Sequence, residues 1–175
     1  MHGDEVKLTL RFKNIHSLQV NVYEIDTLGY YLQNLPKFNE LTNLLGVIPG
    51  WSFKKSYQKS PLIAFDETFT FEQISKIERG IFVIDFISDT LTSRAVISKG
   101  SLNLIYEPVD IGHSFYIINE KHETCTGEST KLHIDNQIIS ADDKGKMIVP
   151  YSRKAIYTTA VIEVNGFAST VLVDF

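Results

Sequence analysis

Residues 81–87 read Ile81-Phe82-Val83-Ile84-Asp85-Phe86-Ile87. Successive side chains of a β-strand point to opposite faces. Here both faces are apolar apart from one acid, the pattern of a strand buried on both sides or of one that meets a neighbouring domain. The run reads as the centre of a hydrophobic core, with Phe82, Ile84 and Phe86 joined by Val20, Val22, Phe69 and Phe71. Ser88-Asp89-Thr90 turns the chain, and Ser93-Arg94-Ala95-Val96-Ile97-Ser98 returns as a second strand. After Lys99-Gly100, Leu102, Leu104 and Tyr106 alternate once more.

The same period of two runs outward in both directions. Upstream, Val6, Leu8, Leu10 and Phe12 alternate with Lys7, Thr9, Arg11 and Lys13. A short turn follows, and Leu18, Val20 and Val22 alternate with Gln19 and Asn21, so the two stretches read as an antiparallel hairpin. The pattern weakens over 28–61, where Pro36, Gly46 and Pro49-Gly50 break any long element. This stretch reads as a long excursion with one short helical turn carrying Leu41, Leu44 and Leu45; excursions of that length generally cover or bind something. Downstream, Glu107-Pro108-Val109-Asp110-Ile111-Gly112 reads as a linker. Strands are expected at Phe115–Ile118 and around Leu132 and Ile134, separated by a polar loop over 120–130. Asp142-Asp143-Lys144-Gly145 reads as a turn between Ile138-Ile139 and Met147–Val149, and Asn165-Gly166 as the tip of a final hairpin. The tally is about six or seven strands before the linker and about five after it, as in small β-sandwiches. The fold expected is therefore all-β, two consecutive antiparallel β-sandwich modules with little helix, over 1–107 and 108–175.

Composition agrees with a globular chain. It has 175 residues, a net charge of −4, 43% hydrophobic and 22% charged residues. Those values exclude collagen, coiled coil and disorder. A mildly acidic chain gives no reason to expect nucleic acid. The single cysteine, Cys125, allows no internal disulfide. No apolar run approaches the ~18 residues of a membrane span, and the N-terminus does not read as a signal peptide. Both ends look cut, which points to a piece of a longer protein.

Two phrases carry a resemblance. One is Arg79-Gly80-Ile81-Phe82-Val83-Ile84-Asp85-Phe86-Ile87 followed by Ser93-Arg94-Ala95-Val96-Ile97-Ser98-Lys99-Gly100. The other runs from Leu18 to Ile25, then Gly29-Tyr30-Tyr31 and Leu45-Gly46-Val47-Ile48-Pro49. Together, over roughly residues 6 to 106, they resemble a module of bacterial and protist alpha-2-macroglobulin-like proteins. The second block, through Leu132-His133-Ile134-Asp135, Ala141–Tyr151 and Gly166-Phe167-Ala168, is similar to carboxypeptidase-regulatory-like β-modules. The resemblance implies β-sandwiches strung together in a very large chain, at the cell surface, in the periplasm or secreted. It also brings Asp85 and Arg94 together as a structural ion pair, which a buried charge needs. The thioester motif of complete macroglobulins is absent here, because Cys125 sits in Glu123-Thr124-Cys125-Thr126-Gly127-Glu128.

The remaining chemistry is sparse. Glu120, His122, Glu123 and Cys125, with His113 and His133, form the one crowd of metal-capable residues, but at no known ligand spacing, so the reading is a solvated loop and no metal. Asp142, Asp143 and Gly145 lack the alternating acids and closing Glu of a calcium loop. Asp66 and Glu67 are adjacent and so point to opposite faces of a strand. No nucleophile elbow or phosphate-binding loop occurs, and no cofactor is expected. Trp51, Phe53 and Tyr57 with Lys54, Lys55 and Lys59 form an aromatic-basic patch, either a contact surface or a lysine-guarded edge strand. The expected role is a non-catalytic structural or interaction module of a large macroglobulin-like protein, whose partners are neighbouring domains of the parent chain and possibly other proteins. The alternative is a ligand-binding or adhesion module that uses the 28–61 or the 120–130 loop.

Overall fold

A computed structural model describes residues 5–34, 44, 46–89, 91–151 and 157–174. The chain forms two compact units, one from Met1–Ile25 and Leu41–Lys99, the other from Asp26–Glu40 and Gly100–Phe175. The fold is all-β, with every strand pair antiparallel.

In the first unit, β1 (Lys7–Lys13) pairs with β4 (Ala64–Thr70) in a two-stranded sheet. Four strands, β2 (Ser17–Ile25), β3 (Trp51–Ser56), β5 (Gly80–Ser88) and β6 (Thr92–Lys99), form the second sheet in the order β3-β2-β5-β6. The hairpin expected from the alternation before and after residue 14 is thus not formed, because β1 and β2 lie in different sheets. Alternation fixes which side of a strand is apolar, not which strand lies beside it. Asn14, at φ 56°, bends the chain from one sheet to the other, and the two apolar faces meet across the core. Phe12 and Phe69 come from the smaller sheet; Leu18, Val20, Val22, Phe82, Ile84 and Phe86 come from the larger. Phe69 and Phe86 touch across the gap, with ring centroids 5.5 Å apart. Phe71, just before the short helix α2 (Glu72–Lys76), and Ile74 on it belong to the same core.

The second unit packs a four-stranded sheet on a three-stranded one. Its strands are β7 (Leu102–Val109), β8 (Gly112–Asn119), β9 (Thr130–Ile134), β10 (Gln137–Ser140), β11 (Met147–Pro150), β12 (Tyr157–Val164) and β13 (Phe167–Asp174). The orders are β10-β9-β12-β13 and β11-β8-β7. Residues 107–112, read as a linker, are instead a hairpin, in which β7 runs to Val109 and Gly112 pairs back with it. Pro108 is tolerated there because β7 is an edge strand. The 142–145 turn likewise joins strands of opposite sheets rather than a hairpin. Gly145 takes φ 82° there, and a Cβ on it would lie 2.7 Å from the Cys125 carbonyl. Two-residue turns at Asp135-Asn136 (φ 47° and 62°) and Asn165-Gly166 (φ 53° and 81°) close the β9–β10 and β12–β13 hairpins. Left-handed conformations suit Asn, Asp and Gly at such turns.

The 28–61 stretch is more structured than a bare excursion. Helix α1 (Thr27–Asn34) packs on β12 and β13 of the second unit, and β3 lies in the first. The helical turn expected at Leu41, Leu44 and Leu45 falls largely outside the described residues. Asp26 starts α1 as an N-cap, its Oδ1 accepting the Gly29 amide at 3.1 Å. Thr27 is buried, and its Oγ1 accepts the Ala168 amide at 2.8 Å. Val164 and Phe167 close a two-residue hairpin, so the next pair, Glu163 and Ala168, is the non-hydrogen-bonded kind, and the Ala168 amide points to the free side of edge strand β13. Thr27 therefore satisfies a donor that the sheet leaves over. Thr27→Val should strip hydrogen-exchange protection from the Ala168 amide and cost about 1–2 kcal/mol in urea unfolding. Thr27→Ser, which keeps the acceptor, should retain most of both.

Candidate functional site

The larger sheet of the first unit has two buried faces at β5. Phe82, Ile84 and Phe86 enter the core, while Ile81, Val83 and Asp85 lie on the opposite face and are buried as well. Asp85 is only 6% exposed. The turn after β5 decides how it is neutralised. Ser88 donates its amide to Leu91 across that turn at 2.8 Å. Counting back by alternation makes Asp85 and Arg94 a non-hydrogen-bonded pair, the closer of the two kinds at about 4.5 Å between Cα atoms. At that spacing Arg94 grips the carboxylate with two bonds, Nε to Oδ1 at 2.6 Å and Nη2 to Oδ2 at 2.9 Å. The hydrogen-bonded Asp85 carboxylate pushes the guanidinium above its already high ordinary pKa. At the far end of β6, Lys99 donates to the carbonyls of Ile74 and Ser75 at 2.9 and 3.0 Å, which satisfies the open C-terminal end of α2.

Trp51, Phe53 and Tyr57 face inward. Trp51 leans on Phe82, Phe53 on Phe69, and Tyr57 on Phe12 and Phe65. The outward side of β3 carries Ser52, Lys54 and Ser56 instead. Lys55 lies over the Phe69 ring at 4.8 Å and pairs with Glu67 of β4 at 2.5 Å, so it ties the two sheets together along their edge. Burial by itself would raise the Glu67 carboxyl, but the Lys55 ammonium and the Tyr57 hydroxyl hold it below the ordinary value. Burial and the Glu67 carboxylate push the Tyr57 phenol well up, so it stays protonated. Asp66, on the other face of β4, is a largely exposed partner of Arg11 at 3.9 Å.

The metal-capable residues are dispersed. Asn119 closes the loop that follows β8: its Oδ1 accepts the Lys121 and Glu123 amides, and its Nδ2 donates to Glu123, each at 2.9 Å. Cys125 is buried, its amide donating to Ile117, and His122 is exposed at φ 60°. His113 stands edge-on to Tyr151, centroids 5.0 Å apart. Among the described residues no group of three or more His, Cys, Asp or Glu is placed to hold a metal ion. The Asp142 carboxyl is held low by the amides of Lys146 and Lys144, each donating to Oδ1 at 2.8 Å, as in an Asx-type turn. No helix of the described residues is long and apolar enough to cross a membrane.

One polar cluster escaped the sequence reading. Glu163 of β12 is 7% exposed, and its Oε2 lies 2.9 Å from His133 Nε2 on β9, with Lys131 at 4.0 Å from Oε1. The signal was present, for Val161-Ile162-Glu163-Val164 sets one acid in an apolar run, as 81–87 does.

Residues 18–100 match a family model described as the AbpF first immunoglobulin-like domain. Over 150 residues, 85% of its length, the chain is 32% identical to Actin-binding protein F of Dictyostelium discoideum, and it spans 6% of that protein. Two solved structures of native alpha-2-macroglobulin from Escherichia coli are similar at 6% and 7% identity. One, spanning domains NIE-MG1, has a TM-score of 0.45 over 94% of this chain and 87% of that one; the other, spanning MG0-NIE-MG1, has 0.49 over 95% and 58%.

Arg94→Ala leaves a buried carboxylate unpaired and should cost roughly 2–4 kcal/mol in urea unfolding, whereas Asp85→Val combined with Arg94→Val should recover most of the loss. Glu67→Gln should cost up to about 1 kcal/mol near neutral pH. Because folding depresses the Glu67 pKa, its contribution is full above the ordinary carboxylate value of 4.5 and is lost as pH falls through the lower folded value. Melting of parent and variant should therefore converge in acid.

Proposed function

We propose that this chain is a non-catalytic immunoglobulin-like segment of a much larger protein related to Actin-binding protein F, and that it spaces and orients neighbouring domains of its parent. The observation that carries the reading is the 32% identity over 150 residues, a stretch that spans both compact units yet only 6% of the relative. The side chains add to it. The polar residues that draw attention are spent on the fold: Asp85 and Arg94 on each other, Lys99 on α2, Asn119 on its own loop, Glu163 on His133. The macroglobulin-type sandwich around residues 6 to 106, and the carboxypeptidase-regulatory-like character of the later strands, belong to this reading as its finer part. A fold resting on large apolar cores, without a disulfide, suits a spacer that must keep its shape.

Co-sedimentation with actin filaments tests this role. A spacer stays in the supernatant at micromolar filament concentration, and the parent's filament contact lies in other domains. Saturable pelleting of this segment would overturn the reading in favour of a direct filament-binding module.

A further inference from the structure

We propose that the outer edge of β1 receives an extended segment of another polypeptide, which joins the two-stranded sheet as a third strand and completes the sandwich of the first unit. The proposal rests on the module reading and gives the module a binding surface. β1 pairs only with β4. The contact just before its first residue fixes which of its backbone groups are spent. Phe71 donates its amide to the Val6 carbonyl at 2.9 Å, so the register makes Val6 and Phe71 a hydrogen-bonded pair. Alternation then spends Leu8, Leu10 and Phe12 on β4 and turns the amides and carbonyls of Lys7, Thr9, Arg11 and Lys13 to the other side. Among the described residues no hydrogen bond takes up those groups.

The sandwich is open where that edge lies. Its two sheets are unequal, two strands over four. β4 lies toward β3, for Phe69 reaches Phe53 and Glu67 pairs with Lys55, and Lys59 sits 3.9 Å over the Phe65 ring, so this flank is closed. β1 starts on the β6 side. The Val6 amide donates to Ser75 Oγ at 2.9 Å, and Lys99 of β6 donates to the carbonyl of the same serine at 3.0 Å. The smaller sheet thus has no strand to set over β6. Burial shows the result: Leu8 and Leu10 of β1 and Ala95 and Ile97 of β6 pack against the core but stay half-buried, whereas Phe82 and Ile84 of β5 are fully covered. A third strand beside β1 covers these side chains with its own inward face.

The outer face of β1 says what fits. The strand has seven residues with neither proline nor glycine, so its backbone can carry a second ladder along its length. Its guard is charge, for it holds Lys7, Arg11 and Lys13 and no acid. A second copy of β1 would set cation against cation and is disfavoured. Lys7 and Arg11 have Glu5 and Asp66 beside them, whereas Lys13 has no ion partner among the described residues. The occupant is therefore an extended segment with apolar residues at alternate positions and an acid that lands opposite Lys13, held by main-chain bonds.

The test is amide-resolved NMR and hydrogen exchange of the full chain with a synthetic octapeptide that alternates valine and threonine, with glutamate at one threonine position. Shifts should centre on Lys7, Thr9, Arg11 and Lys13, and exchange at the Thr9 and Arg11 amides should slow about tenfold or more at saturation. Only alternate residues of an added strand bond to β1, so of two peptides N-methylated at one or the other alternate set, one should bind and one should not. Thr9→Pro removes an outward donor without touching the β4 ladder and should weaken binding at least about tenfold. Lys13→Glu, at an exposed and unpaired side chain, keeps the proposal open to refutation if the proline variant fails to fold. It should weaken the glutamate peptide about threefold and favour the same peptide with lysine in place of glutamate. No shift at millimolar peptide, shifts centred away from β1, or equal binding of the two N-methylated peptides would overturn the proposal. Concentration-dependent dimerisation through β1 without peptide would also overturn it, since the edge would then serve a second copy. A null titration leaves the filament result standing, and pelleting of the segment with filaments leaves the edge result standing.

Discussion

The structure of the first unit turns on burying β5 from both sides. A strand with apolar side chains on each face is a strong organiser, since every residue contributes to one packed surface or the other. It also restricts the chain, because a charged side chain on such a strand cannot be left to water. Asp85 is held in place only because β6 comes back after a tight turn in a register that puts Arg94 directly opposite it, at the close kind of pair. The turn at 88–91, the ion pair and the two-faced burial are thus one arrangement. Lys99, at the other end of β6, ties the same strand to α2, so that the strand is fixed at two points along its length.

The second unit solves a similar problem by a different route. Its sheet β10-β9-β12-β13 also carries a buried acid among apolar residues, Glu163, met by His133 and Lys131 of the neighbouring strand. What sets this unit apart is how it finishes its edge. A helix that follows a strand of the first unit in sequence packs on β12 and β13, and Thr27 at its start takes up the amide of Ala168. Interior carboxylates with cross-strand basic partners are shared features of the two larger sheets, while the treatment of their edges differs.

How far this was legible in the sequence follows from what each signal measures. Period-two alternation located the strands and their inward faces, and the core built on Phe69, Phe71, Phe82, Ile84, Phe86, Val20 and Val22 was readable from it. Alternation is blind to partners, so β1 and β2 read as a hairpin although they lie in opposite sheets. Gly-Pro punctuation at 107–112 was read as a linker, yet a proline on an edge strand and a glycine at a turn give the same letters. Helix α1 was hidden because Gly29 and aromatic Tyr30 and Tyr31 are poor helix formers; the cap at Asp26 was its one local mark. The aromatic-basic stretch at 51–59 shows the same limit: composition identified the residues, but the strand's alternation sends the rings inward and only part of the charge outward. Glu163 carries the same signature as Asp85, but its partner His133 lies thirty residues away on β9, and alternation gives no sign of which strand lies beside it.

β5 should be the last element of the first unit to open, because both its faces are buried and its one charge is paired. Native-state hydrogen exchange across a series of low urea concentrations measures this directly. The amides of Val83, Asp85 and Ile87 should exchange only through complete unfolding of the unit, with the full urea dependence of the global transition. Exchange at those amides by a local opening, insensitive to urea and well below the global free energy, would contradict it.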